Sequence, residues 1–176
     1  MLARPEVRIH NGKRFVLFFG AGKTNGVCSN WFMIDFEVDG VTFNCVEQYM
    51  MYQKAKLFGD SEIMDKVLKE TSPKNMKAYG RKVKNYDNEV WDKNRYNLVL
   101  KGVQAKFEQN VGLKTWIQAA NADYFVECSP YDDIWGVKLP VTDLRVLEPN
   151  KWNGTNLLGN ILKEVQNNIN KGEKNV

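Results

Sequence analysis

The segment 45–55 constrains this chain most, because it contains good helix formers and neither Gly nor Pro. Within it Glu47, Met50, Met51 and Lys54 are spaced i, i+3, i+4 and i+7, so they share one face of a helix. That face carries a carboxylate at one end, an amine two turns later and apolar side chains between them. It is either core with charged rims or the wall of an acid–amine active site, and the segment alone favours a solvated helix pair.

The flanking segments predict an α+β fold, dominated by helices, with a small sheet and hairpins. Strand patterns occupy residues 14–19, 31–38, 41–43, 124–128 and 134–137, with a tight turn at Asp39-Gly40. Helical patterns occupy about 44–57, 61–70, 73–80, 88–109 and 112–120, and a last one runs from Asn153 or Thr155 to about 170. A helical block between early and late hairpins argues against alternating βαβ units. The 176 residues fit one domain, with residues 1–13 and 171–176 as loose termini.

The composition narrows the classes of function. A net charge of +4 without a dense basic run suits an anionic small molecule better than nucleic acid. No apolar run reaches the length of a membrane span, and the start of the chain lacks a signal-like segment. Three widely spaced cysteines indicate free thiols in a reducing cytoplasm. With a single histidine they form no zinc-ligand pattern, so no cofactor or metal is expected, and a carboxylate-held Mg²⁺ stays open.

Other chemistry-bearing residues have ordinary structural interpretations when taken singly. Residues 20–24 resemble a P-loop, but Leu17 stands where that motif needs its first Gly, so we interpret them as a surface loop that can still place amides near a phosphate. Asp132 lies in a Pro-containing turn and is typical of turn capping. Arg81 is typical of a helix end and Trp91 of a core position.

Taken together, short motifs follow one another in a fixed order. They are Phe19-Gly20, Ser29-Asn30-Trp31-Phe32, Asp39-Gly40, Glu47-Gln48-Tyr49, Lys54-Ala55, Gly80-Arg81, Trp91, Arg95, Lys106-Phe107, the run from Glu127 to Gly136, and the run from Trp152 to Gly159. This ordered set resembles the YbiA-like, or NADAR, family over about residues 15–165.

The resemblance implies a compact helix-rich α+β fold and a hydrolase of the N-glycosidase type. The implied reaction cleaves the bond between ribose C1 and nitrogen in a phosphate-bearing N-riboside. The implied substrate is an ADP-ribosylated guanine base, free or in nucleic acid, or a phosphoribosylaminopyrimidine intermediate of riboflavin biosynthesis. Two alternatives remain open, a non-catalytic module that binds ADP-ribose or a related nucleotide, and a protein-interaction domain. The oligomeric state is not predicted.

The resemblance also gives residues roles. Glu47 would be the general acid/base, which works best if burial raises its pKa toward neutrality. Lys54 would form a Schiff base with the C1 aldehyde equivalent of an opened ribose, which needs a depressed pKa. Asp132 would orient ribose hydroxyls or stabilise oxocarbenium character. The expected substrate-binding residues, which hold phosphate or stack on the base, are Gly20, Lys23, Ser29, Asn30, Arg81, Trp91, Trp135, Gly136 and Asn156.

Three positions depart from the pattern of the family. Asp133 stands where a basic residue is common, Lys138 where Gly is usual, and Gln166 where Arg is common. The first two flank the expected pocket, so they bear on the identity of the substrate more than on the fold.

Overall fold

A computed structural model describes residues 2–173 of the chain. The strands are β1 (Arg8–His10), β2 (Lys13–Phe18), β3 (Phe36–Val38), β4 (Val41–Phe43) and β5 (Tyr124–Glu127). The helices are α1 (Val46–Leu57), α2 (Ser61–Leu68), α3 (Pro73–Gly80), α4 (Asn88–Gln109), α5 (Val111–Ala120) and α6 (Leu157–Glu173), and short 3-10 turns cover Gly26–Cys28, Leu144–Leu147 and Pro149–Lys151. The helix-dominated α+β class is confirmed.

The chain divides into two compact units. Unit 1 consists of Met1–Phe32 and Phe107–Val176, and unit 2 of Met33–Lys106. The prediction that residues 1–176 form one domain stays a prediction.

Unit 1 is built on a three-stranded sheet in the order β1-β2-β5. Strand β2 pairs with β1 in the antiparallel sense and with β5 in the parallel sense. Phe15 of β2 stacks on Tyr124 of β5 with 4.8 Å between ring centroids, and α6 packs against β5. The buried side chains of Phe15, Leu17 and Val126 belong to one hydrophobic cluster of this unit.

Strand β1 lies inside the segment that was expected to be a loose leader, so that expectation is wrong for residues 8–10. The cause is a tight turn at Asn11 and Gly12, whose φ angles of 48° and 71° suit a two-residue hairpin. At the other end α6 continues to Glu173, into the expected loose tail. The rest of that tail, residues 174–176, and residue 1 of the leader lie outside the described residues.

The late strand expected at residues 134–137 is absent from the described structure, so the late hairpin is wrong. The carboxylate of Asp132 accepts hydrogen bonds from the backbone N–H groups of Ile134 and Trp135, at 2.9 and 2.8 Å. A turn therefore takes the donors that a strand ladder needs. The strand expected at 31–38 is shortened to β3.

Unit 2 begins with the expected hairpin of β3 and β4, in which Asp39 and Gly40 have φ angles of 53° and 77°. Helix α1 follows and packs against α2 and α3. The expected caps also form, because Asp60 accepts the N–H of Ile63 at the start of α2 and Pro73 opens α3. These short connections place the face of α1 that carries the acid and the amine inside a helical cluster.

Candidate active site

Helix α1 carries the acid and the amine that the sequence analysis singled out. Glu47 lies in its first turn and is only 3% exposed, whereas Lys54 lies in its last turn and is half-buried. Met50 and Met51, which lie between them on the same face, are buried. A solvated surface pair does not fit this burial, since an isolated carboxylate loses much hydration free energy in such a place.

Burial and neighbouring charges act together on the amine of Lys54. Its Nζ atom lies 4.3 Å from the ring centroid of Tyr86 and 5.8 Å from that of Trp91. Removal from water lowers the pKa of Lys54 below its usual value, Glu47 opposes this by favouring the ammonium form, and the positive charge of Arg81 adds to the lowering. The net direction is the one that a nucleophilic lysine requires.

Cys45 caps the N-terminal end of α1, and the pKa of its thiol depends on the charges around that end. Burial raises its pKa to about 11, and the N–H of Gln48, which donates to the sulfur at 3.4 Å, opposes the rise. The charge of Glu47 adds to the rise and that of Lys106 opposes it. A carboxylate and an ammonium group therefore both lie within electrostatic range of this thiol.

Unit 2 thus brings together four of the expected site residues. Arg81 is exposed at the C-terminal end of α3, and Trp91 is buried near the start of α4. Both act on Lys54, Arg81 through its charge and Trp91 through its ring, and Glu47 shares a helix with that lysine.

Two residues near this group, Tyr86 and Lys106, were given no role in the site from the sequence. Tyr86 precedes α4 and carries no pattern that marks it. Lys106 had a signal, because it follows Val99 and Val103 at helical spacing, on the face of α4 where an apolar residue is expected. It is 1% exposed.

Asp132, in unit 1, organises the turn after β5. Besides accepting the N–H groups of Ile134 and Trp135, it donates its own N–H to the hydroxyl of Ser129 at 3.2 Å. Trp135 is half-buried and Gly136 is buried in the same segment. One carboxylate oxygen of Asp132 is therefore committed to the turn, and its catalytic role stays a prediction.

Asn156 ties the start of α6 to β5. Its Nδ2 donates to the carbonyl of Phe125 at 2.8 Å, and its Oδ1 accepts the N–H of Glu127 at 3.1 Å. The residue is 1% exposed. Both polar atoms of the side chain already bind the backbone, so the structure gives it a structural role, and the expected contact with a phosphate stays a prediction.

The three departures from the family pattern also find places in unit 1. The side chains of Lys138 and Asp133 form a salt bridge at 3.0 Å, so these two departures place opposite charges in contact across one turn. Gln166 is buried and binds both the N–H and the carbonyl of Ala122, at 2.8 and 3.0 Å. Asp133 and Lys138 are exposed to solvent, whereas Gln166 is not.

Lys23 lines a cavity of about 210 Å³ in unit 1. The residues around this cavity are Glu6, Arg8, Leu17, Phe18, Phe19, Lys23, Thr24, Asn25 and Val141. Gly20, Ser29 and Asn30 are not among them. Asn30 is buried, and its Oδ1 atom has no hydrogen-bond donor within residues 2–173.

Among residues 2–173 no group of three or more His, Cys, Asp or Glu side chains is arranged to hold a metal ion. No helix in this part of the chain combines the length and the apolar character needed to cross a membrane.

Comparison with known proteins shows the family of the chain. The chain is 35% identical to an N-glycosidase of Acanthamoeba polyphaga mimivirus, over 87% of this chain and 95% of that protein. It is 34% identical to Protein irg-1 of Caenorhabditis elegans (89% and 80% covered) and 25% identical to N-glycosidase YbiA of Escherichia coli (86% of each). The NMR structure of E. coli YbiA superposes with a TM-score of 0.74 at 24% identity, over 90% of this chain and 86% of that one, so the two share a fold. Since the model of the NADAR domain also matches residues 17–170, the chain belongs to the NADAR family.

Proposed function

We propose that this chain hydrolyses the bond between ribose C1 and nitrogen in a phosphate-bearing N-riboside, with Glu47 and Lys54 as the chemical pair. That it is a hydrolase of N-glycosyl bonds rests on its family and on relatives named N-glycosidases. The observation that carries the assignment of residues is the buried face of α1, which holds a carboxyl group and a half-buried amine two turns apart.

Lys54 is the amine of the covalent route. Its lowered pKa raises the fraction of neutral amine at a given pH, and only the neutral form attacks C1. As Lys54 bonds to C1, the C1–N bond breaks and the base leaves with that electron pair and one proton of the amine. The lone pair of the lysine nitrogen then opens the ring at the C1–O4′ bond, O4′ takes up the second proton of the amine, and C1 remains joined to Lys54 as an imine. One water then hydrolyses the imine, which frees the sugar and returns the lysine.

Glu47 transfers the protons in this series of reaction steps. Its carboxyl group can accept a proton from the attacking nucleophile and pass it to the departing nitrogen. A direct route, in which Glu47 activates water and no imine forms, uses the same carboxyl group.

The substrate proposed is an ADP-ribosylated guanine base or a phosphoribosylaminopyrimidine intermediate of riboflavin biosynthesis. Both join ribose C1 to nitrogen next to phosphate. Arg8 and Lys23 line the cavity of unit 1 together with Glu6, and such cations are side chains that bind phosphate groups. For Asp132, Trp135 and Gly136 the proposed roles come from the family resemblance. A cytoplasmic location is part of the proposal, and it is supported by the burial of Cys28, Cys45 and Cys128, none of which forms a disulfide.

The test is to incubate the purified chain with ADP-ribosylated guanosine and, separately, with the aminopyrimidine ribotide, and to measure the released base by chromatography. We expect one of them to be cleaved. If a folded protein cleaves neither, and calorimetry shows tight binding of ADP-ribose, the chain is a binding module and the proposal is wrong.

A further inference from the structure

Lys106 is a charged side chain that the proposed reaction does not use. At 1% exposure it is more deeply buried than Glu47 or Asp60, the two buried carboxylates of unit 2, at 3% and 5%. An ammonium group loses a large hydration free energy on burial, and a carboxylate opposite it offsets much of that loss. Two buried carboxylates of unit 2, Glu47 and Asp60, are candidates for this role.

Asp60 is already committed elsewhere. One of its oxygens accepts the N–H of Ile63 at 3.2 Å, and the other accepts the N–H of Lys84 at 2.8 Å. Glu47, the other buried carboxylate in the described part of unit 2, is therefore the stronger candidate to face Lys106.

The packing of α1 on α4 brings Glu47 and Lys106 to the same end of the contact between the two helices. The hydroxyl of Tyr49 donates to the carbonyl of Leu98 at 2.8 Å, and its ring lies so close to Gly102 that an added Cβ there would be 2.3 Å away. Lys106 is one helical turn beyond Gly102, and Cys45 is one turn before Tyr49.

The thiol at that end confirms the direction of the crossing. Cys45 lies within electrostatic range of both Glu47 and Lys106, whose charges act on it in opposite senses. Helices α1 and α4 therefore run antiparallel here, with the acid, the lysine and the buried thiol at the same end of the crossing.

We propose that Lys106 is a positioning residue for this reaction: its buried ammonium group faces the carboxyl group of Glu47, keeps it ionised and commits it to the role of general base. The proposal rests on the proposed function, since it assigns a protonation state to the acid of that site. It decides between the two roles that remain open for Glu47 in the first chemical step.

Other charges near Glu47 are few. Lys54 is on its own helix, Cys45 is neutral at physiological pH because its pKa is raised to about 11, and β4 carries no titratable side chain. The remaining charged groups of α2 and its caps are Asp60, Glu62, Asp65, Lys66 and Lys69, and those of α3 and its cap are Lys74, Lys77 and Arg81. Helix α4 adds Glu89, Asp92, Lys93, Arg95, Lys101 and Glu108. Asp60 binds backbone N–H groups, and Glu62 pairs with Lys66 and Lys84 in solvent.

The chemical consequence is a defined proton path. Ionised Glu47 accepts a proton from the nucleophile as the nucleophile bonds to C1 and the C1–N electron pair leaves with the base. The protonated carboxyl group then returns that proton to the departing nitrogen, and Lys106 keeps its own protons throughout. Over the cycle one water is consumed, and free sugar and free base are released.

The test measures the ionisation of Glu47 directly. Glutamate labelled with ¹³C at the side-chain carboxyl carbon is incorporated, and the NMR signal of Glu47 is assigned by its loss in Glu47→Gln. The chemical shift of this signal is then followed with pH to give the titration midpoint of Glu47. Lys106→Met keeps the volume and removes the charge, Lys106→Arg keeps the charge, and Val103→Ala weakens the same face of α4 without touching a charge. The acidic limb of the kcat/KM profile and the Tm are recorded for each variant.

We expect the Glu47 midpoint and the acidic limb to rise by about 1 to 3 pH units in Lys106→Met, because an opposite charge at short range lowers a carboxyl pKa by that much. Both should stay near the wild-type values in Lys106→Arg and Val103→Ala, whatever their Tm. An unchanged midpoint in Lys106→Met, or an equal shift in Lys106→Arg, overturns the inference.

The two proposals fail in different ways. If the wild type cleaves no substrate, the proposed function is wrong, and the carboxyl titration still decides whether Lys106 ionises Glu47. If Lys106→Met does not fold, Lys106→Gln replaces it in the titration, with the same expected shift.

Discussion

The close approach of α4 to Tyr49 predicts a large effect for Gly102→Ala. A Cβ at position 102 would lie 2.3 Å from Cδ1 and 2.4 Å from Cε1 of the tyrosine ring, whereas carbon atoms pack favourably at about 3.5 to 4.0 Å. The ring would have to move by more than about 1 Å. Tyr49 is fully buried, bonds to the carbonyl of Leu98 and packs edge to face on Phe43, with 5.2 Å between centroids.

The magnitude follows from two opposing effects. Overpacking of a core costs about 1 to 3 kcal/mol, and the rigid setting of Tyr49 puts Gly102→Ala at the upper end. Strain on the buried hydrogen bond adds about 1 kcal/mol. Replacing Gly by Ala inside a helix returns about 1 kcal/mol. The net loss is about 2 to 3 kcal/mol, which lowers the Tm of a chain of this size by roughly 4 to 12 °C.

The assay is thermal and denaturant unfolding of Gly102→Ala beside Gly112→Ala. Gly112 is also helical, but a Cβ there would meet only a side-chain carbon of Leu2 at 3.4 Å, so this control should keep or raise the Tm. In a Tyr49→Leu background the cost of Gly102→Ala should fall, because the clashing ring is gone. A Tm of Gly102→Ala equal to or above that of the wild type refutes the packing argument.

Three further predictions concern the amine and the tie between α6 and β5. Borohydride should trap a substrate adduct on the wild type and none on Lys54→Met, and an equal yield by mass spectrometry would remove Lys54 from the covalent route. Arg81→Gln takes away a like charge and should raise the pKa of Lys54, so the alkaline rise of adduct formation should move to higher pH; an unmoved rise contradicts this. Asn156→Ala removes two hydrogen bonds to the backbone of β5, at the carbonyl of Phe125 and the N–H of Glu127, and should cost about 2 to 4 kcal/mol in urea unfolding. A loss below about 1 kcal/mol would contradict the tie.

The helices of unit 2 were predictable because local signals specify them. Asp60 before α2, and Ser72-Pro73 before α3, mark starts that depend only on adjacent residues. The hairpin at Asp39-Gly40 is of the same kind. Asn11-Gly12 is a second signal of that kind, and it specifies the turn between β1 and β2.

Features that depend on distant residues were not predictable. The parallel pairing of β2 with β5 joins Phe15 to Tyr124, far along the chain, and no local pattern specifies it. The segment 134–137 has the composition of a strand, yet a single side chain, that of Asp132, redirects its N–H groups into a turn.

The site divides in the same way. The common face of Glu47 and Lys54 follows from helical spacing alone. The burial of Glu47, the ring of Tyr86 near Lys54 and the depth of Lys106 depend on how α1 packs on its neighbours. Lys106 could have been selected, because a lysine at an apolar position of a helix requires an explanation.

The most direct test of the proposed chemistry is the single-turnover rate of base release in wild type and Glu47→Gln. The substrate is whichever of ADP-ribosylated guanosine and the aminopyrimidine ribotide the wild type cleaves, and Tm is measured on both proteins to show that the variant is folded. If Glu47 is the general acid/base, the rate should fall by about a hundredfold or more, since positioned proton transfer contributes about 10² to 10⁴ in rate. A folded Glu47→Gln that releases base at nearly the wild-type rate would contradict the account.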